Sequence, residues 1–105
     1  MIKITYNTFE KKSKREEKTE ISIFNGRMFI KYNIPNKAKT IVGQMIKDGK
    51  KGVLYSRGMI IQSFPKKTEN EILEIVKEDI KNGIYTAKEK TKKELTIKNY
   101  QEKYL

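Results

Sequence analysis

The chain has no cysteine, no histidine and no tryptophan, and only two prolines. Each absence narrows the chemistry. Without cysteine there is no disulfide framework and no thiol nucleophile. Without cysteine or histidine, an ordinary structural zinc site or a haem site has no ligands, so no metal and no cofactor is expected. Without histidine, the commonest general base and the usual pH switch are missing. Apolar residues are scarce too, 36 % of 105, where about 45–50 % is usual for a globular domain. The longest apolar runs are three residues, such as Met59-Ile60-Ile61, far short of the ~20 that cross a bilayer. Met1 to Tyr6 alternates apolar and polar residues, unlike a signal peptide. The expectation is a single cytoplasmic domain over 1–105, without membrane contact.

What the chain does have is lysine. It carries 21 Lys and three Arg against 13 Asp+Glu, a net charge of +11. The 15 Ile supply most of the core material, and the joint abundance of Lys, Ile, Asn and Tyr is the composition of an AT-rich genome. The excess charge is not spread evenly. Residues 1–20 hold six basic and four acidic groups, and residues 68–105 hold eight of each. Residues 21–67 hold ten basic groups and one acid, Asp48. Such a segment cannot neutralise its lysines locally, and if they share a face, that face attracts a polyanion.

The spacing of apolar residues implies a small α+β domain. Ile2, Ile4 and Tyr6 alternate with polar residues, as do Ile21 and Ile23, then Met28, Ile30 and Tyr32. This is the period of half-buried strands. Asn25-Gly26 between the second and third runs is a strong hairpin signal, since both residues accept positive φ. Strands over 2–9, 19–25 and 27–33 form an antiparallel meander. The charged stretch 10–20 between the first two reads as a solvated loop or hairpin tip. After Pro35, Ala38, Ile41, Val42, Met45 and Ile46 form a helical stripe over 36–48, with Asn36 as cap and Gly49 as stop. Residues 53–55 are strand-like. Residues 57–64 fit either a strand, giving a second hairpin, or a short helix capped by Ser56. Thr68 and Glu71 make a capping box that opens a second helix over 68–82. The tail 86–105 has two readings. Residues 84–86 and 95–97 pair as a hairpin around a Lys-rich tip at 88–93, or Thr91-x-x-Glu94 caps a partly frayed helix. With a helical 57–63, the element order of 36–98 is winged-helix-like.

In a winged helix the helix before the wing normally enters the major groove. Here that helix carries Glu69, Glu71, Glu74, Glu78 and Asp79 against Lys77 and Lys81, and so repels phosphate. It is expected to face solvent or a second subunit, leaving the hairpins and the central lysines to meet the nucleic acid. Candidate phosphate contacts are Arg27, Lys31, Lys37, Lys39, Lys47, Lys50, Lys51, Lys66 and Lys67, with Lys12, Lys14 and Arg15 on the N-terminal tip. Arg57 sits in a turn, where it can read base edges. Tyr32 and Tyr55 interleave with the basic region; either stacks on an unpaired base or fills the core edge.

Three functional classes remain. The first is a double-stranded DNA-binding accessory or regulatory protein, homodimeric, of plasmid or phage type, and not an enzyme. The second is a metal-free ribonuclease or RNA-binding module using Arg57, Lys50, Lys51 and Tyr55. The third is a protein-binding inhibitor or adaptor with a lysine coat. The first predicts a slope of about −5 in log K against log salt, from five or six phosphates at ~0.9 each. On that reading, a salt titration of duplex binding with Lys50 and Lys51 both changed to Ala gives a slope flatter by roughly 2.

Overall fold

A computed structural model describes residues 1–11, 14–86 and 95–105. They form an α+β domain of six strands and two helices: β1 Ile2–Glu10, β2 Arg15–Phe24, β3 Arg27–Tyr32, α1 Asn36–Lys47, β4 Val53–Ser56, β5 Met59–Ser63, α2 Glu69–Lys81 and β6 Leu95–Tyr104. All pairings are antiparallel, in one sheet of order β4-β5-β3-β2-β1-β6.

The meander forms as the alternation requires. Ile2, Ile4 and Tyr6 pair with Ile23, Ile21 and Thr19 of β2, and Ile21 and Ile23 pair with Ile30 and Met28 of β3. All these side chains are buried on one face. At the β2–β3 turn, Asn25 and Gly26 have φ of 49° and 69°, as a two-residue type I′ turn demands. The charged stretch 10–20 is mostly strand, not loop: Glu10 ends β1, and Arg15 to Glu20 belong to β2. The reason is that Glu17 and Thr19 take inward positions in the continued register, where both are buried. Charge on the intervening residues hides that alternation in the sequence.

Both helices pack on the same face. α1 buries Ala38, Ile41 and Met45, and α2 buries Ile72, Leu73, Val76 and Ile80, in one cluster with the sheet's inward isoleucines. Pro35, not Asn36, occupies the N-cap position of α1, and no side chain caps it; Asn36 is already helical. Gly49, at φ 75°, stops the helix as expected. The Thr68–Glu71 capping box of α2 forms in both directions. The Thr68 hydrogen bonds hold the Glu71 carboxyl below its ordinary range. No helix among the described residues is long and apolar enough to cross a membrane.

The ambiguous segment 57–64 is largely strand: Met59–Ser63 is β5, so the second hairpin forms there and no helix does. β-branched Ile60 and Ile61 favour that outcome, and β5 completes the hydrogen bonding of β3. The C-terminal segment also differs from both readings. Residues 95–104 are a strand, but it pairs with β1 and not with 84–86, which form a turn. β1 would otherwise be an open edge, so a long C-terminal strand gains a full ladder there. The Lys-rich tip 88–93 and the Thr91–Glu94 box lie outside the described residues. In β6, Asn99 and Tyr100 together oppose Tyr6, with Asn99 at φ 52°. This bulge keeps Tyr100, Glu102 and Tyr104 on the helix side. There Lys77 of α2 reaches Glu102 at 3.2 Å. Hydrogen bonds from the Tyr104 hydroxyl and then Lys77 hold the Glu102 carboxyl below its usual range.

A buried polar cluster ties α2 to the segment after α1. Asp79 of α2 is buried and accepts from Lys50 Nζ at 3.1 Å and from the Tyr85 hydroxyl at 3.0 Å. Burial, then the Asp79 charge, drives the Tyr85 phenol far above its ordinary range. Removing Asp79 leaves the buried Tyr85 hydroxyl without its carboxylate acceptor and the half-buried Lys50 without its counter-ion. Asp79→Ala is therefore expected to cost about 3 kcal/mol, read as a lower urea midpoint. Tyr85→Phe, which loses only a hydroxyl, is expected to cost about 1 kcal/mol.

Candidate nucleic-acid interface

Strand alternation divides the sheet into two unlike faces. One lies under the helices. The other carries Lys3, Thr5, Asn7 and Phe9 of β1, with Glu16, Lys18, Glu20, Ser22 and Phe24 of β2. Arg27, Phe29 and Lys31 of β3 continue it, followed by Met59 and Ile61 of β5. No described residue layers over this face. Through the β1–β6 register it also takes in Lys98, Gln101 and Lys103.

Among the described residues, six cations stand on the uncovered face: Lys3, Lys18, Arg27, Lys31, Lys98 and Lys103. Two carboxylates oppose them, Glu16 and Glu20. Glu20 is paired with Lys18 at 3.3 Å, and Glu16 accepts from the Asn7 side-chain amide at 3.2 Å. Lys98 places its ammonium 4.1 Å from the centroid of the Phe9 ring, a cation–π contact that occupies that ring. Phe24 is 47 % exposed and Phe29 half-buried. A shallow depression of about 200 Å³ is lined by Lys18, Glu20, Lys31 and Asn33.

A second basic feature lies beside the β4–β5 hairpin. A cleft of about 510 Å³ is lined by Asn36 and Lys39 of α1 and by Leu54, Tyr55, Ser56 and Arg57. Gly58 holds the turn there. Its φ is 81°, and its carbonyl accepts from the Tyr32 backbone N–H at 2.9 Å. A Cβ at Gly58 would stand 3.2 Å from the Tyr32 carbonyl oxygen, so a side chain would push the turn off β3. The register shift between Leu54 and Ser56 takes Tyr55 out of the ladder and leaves it 68 % exposed, the re-aiming that a bulge provides. No side chain caps α1 and its first turn carries no acid, so the wall of the cleft formed by that helix is free of negative charge.

The fifteen residues singled out from the sequence thus scatter. Arg27 and Lys31 reach the uncovered face, and Lys39, Tyr55 and Arg57 converge on the cleft. Lys47 lies in the last turn of α1, and Lys51 is exposed beyond it. Lys66, at φ 68°, and Lys67 are exposed before α2. Lys14, at φ 52°, turns the chain into β2, and Arg15 lies 3.6 Å from Glu17. Lys12 lies outside the described residues. Two lysines serve the fold: Lys50 holds Asp79, and Lys37 pairs with Glu17, with both of those latter side chains mostly buried. The two tyrosines also part company. Tyr32 is buried, 5 % exposed, and burial pushes its phenol well above the ordinary range; only Tyr55 is free to stack. Lys3, Lys18, Lys98 and Lys103 were missed, with Phe24 and Phe29. For Lys3, Phe24 and Phe29 the available signal was the out-facing parity of the predicted strands; Lys18, Lys98 and Lys103 lie outside those strands, and the β6 bulge breaks the parity between the last two.

The chain matches no family model, no curated protein and no solved structure.

The two roles of lysine separate by mutation. Lys37→Ala leaves Glu17, among the described residues, with Arg15 at 3.6 Å as its remaining cation and is expected to cost roughly 2 kcal/mol in a urea melt. Lys39→Ala, at an exposed position, is expected to stay within about 0.5 kcal/mol of the parent.

Proposed function

We propose that the protein is a nucleic-acid-binding protein that acts by binding, not catalysis. Its principal contact surface is the uncovered face of the sheet. The observation that carries this reading is the imbalance there: among the described residues six cations face two carboxylates, and Glu20 takes up one of the six, Lys18. A flat array of cations meets a run of phosphates without selecting a sequence. The cleft with Lys39 and Arg57 adds a second anion-attracting patch near the sheet's end. The acidic helix α2 lies on the opposite side of the sheet, so it keeps its charge away from the ligand. The expectation gave the contact to the hairpins and the central lysines; the present reading keeps the helix out of it and moves the main contact to the sheet face. Duplex DNA, single strands and RNA all satisfy the electrostatic argument.

A second reading has its own support. Val53, Leu54 and Tyr55 of edge strand β4, with Ile46 of α1, are exposed and apolar. An exposed apolar edge is a surface for pairing with another chain, which fits a homodimer or a protein-binding adaptor.

The deciding experiment is a salt titration of binding to random duplex DNA, single-stranded DNA and structured RNA. Binding that weakens steeply with salt is expected. Changing Arg27 and Lys31 together to Ala should flatten the slope by about 1.5, two contacts at ~0.7–0.9 each. A parental slope in that double variant would move the contact off the uncovered face. No salt-sensitive binding near 0.1 M salt would overturn the nucleic-acid reading in favour of a protein partner.

A further inference from the structure

Resting on the nucleic-acid reading above, we infer that the uncovered sheet face takes an unpaired strand, with bases stacked on Phe29 and Phe24 and phosphates held by the flanking cations. Two observations distinguish this from a duplex surface. The first is the placement of the rings. Phe24 opposes Arg27, and Phe29 is two residues further along β3 on the same face. The two phenylalanines are therefore diagonal cross-strand neighbours, on the order of 7–8 Å apart. Ile61 opposes Phe29, and Val53 opposes Ile61. An apolar strip thus crosses from β2 to the β4 edge. A duplex offers phosphates and groove edges to a flat surface, and its ring faces are stacked on one another. Only an unpaired strand presents base faces to such a strip.

The second observation is how the charge frames the strip. Arg27 and Lys31 stand on either side of Phe29 along β3. Lys3 and Lys103 form the next cross-strand pair beyond Ser22, the residue opposite Phe29. The nearest carboxylate, Glu20, is held by Lys18. Phe9, the other aromatic ring on the face, is covered by Lys98, so it adds charge and not a stacking surface. The same arrangement argues against a second copy as occupant, because two such faces would bring their cations together.

Stacking and phosphate contact separate experimentally. The full chain is titrated by fluorescence anisotropy against labelled oligothymidine, against a mixed-sequence duplex of equal length, and against labelled heparin, at several salt concentrations. Oligothymidine is expected to bind more tightly than the duplex or heparin at equal salt. Phe29→Leu keeps an apolar side chain in the sheet and removes the ring. It is expected to weaken oligothymidine binding roughly tenfold with an unchanged salt slope, and to leave heparin binding alone. Phe24→Leu, at a more exposed position, should act in the same direction if Phe29→Leu also perturbs the sheet, which thermal melts of both variants would reveal. Tighter binding to the duplex, or parental oligothymidine affinity in both variants, overturns the single-strand inference and leaves the nucleic-acid reading intact. Absence of binding to every nucleic acid overturns both, and binding to heparin alone identifies an acidic polymer or protein as the partner.

Discussion

Two helices cannot cover both sides of a six-stranded sheet. At ~4.8 Å between strands the sheet is about 24 Å wide, and two helices side by side, each ~10 Å across, roughly match that width once. α1 and α2 both lie on the face where Ile2, Ile4, Ile21, Ile23, Ile30 and Ile60 point. Everything else follows from spending both helices on one side. The covered face must be apolar, the opposite face must live in water, and each strand must alternate to serve both. The uncovered face meets that demand with lysine and arginine. Its aromatic residues then have a reason other than core packing to be where they are.

The same division explains why some lysines are structural. The covered face is not apolar throughout: Thr8, Glu10, Glu17 and Thr19 continue it beyond the isoleucines, and all four are buried. A carboxylate in that position requires a partner, and Lys37 of α1 supplies one to Glu17. Asp79 makes the same demand from the α2 side, met by Lys50 and the Tyr85 hydroxyl. The first pair ties α1 to β2, and the second ties α2 to the segment that follows α1. They also withdraw two cations from the central basic segment, so net charge along the chain overstates the charge free to meet a ligand.

Much of the fold was legible. The meander, the Asn25-Gly26 turn, the α2 capping box and both amphipathic stripes are local signals, written within a few residues of where they act. What local signals lacked was pairing. That residues 95–104 return to the first strand depends on a free edge 85 to 102 positions away. The strand at 59–63 likewise needs the vacant edge of β3 to decide between two propensities that balance locally. Glu17 and Thr19 look solvated in sequence and are buried because the register of β1 continues over them. The site was less legible than the fold: Arg27, Lys31, Lys39, Tyr55 and Arg57 reach the two basic surfaces, while Lys37 and Lys50 are claimed by buried carboxylates.

Taken alone, the sequence determined the inventory: an α+β domain without thiol or imidazole chemistry, with an excess of lysine and aromatic rings that are all Tyr or Phe. It also determined the local turns and helix ends, because these depend on φ preferences and capping atoms carried by adjacent residues. Tertiary structure decided which lysines are free and which are ion-paired, and which tyrosine is buried. It also placed Lys3, Lys31 and Lys103, far apart in the chain, on one face with Phe24 and Phe29. The physical reason is that side-chain parity in a strand is local, but the neighbours on a sheet face are set by which strands pair, and that is settled only when the whole chain buries its core.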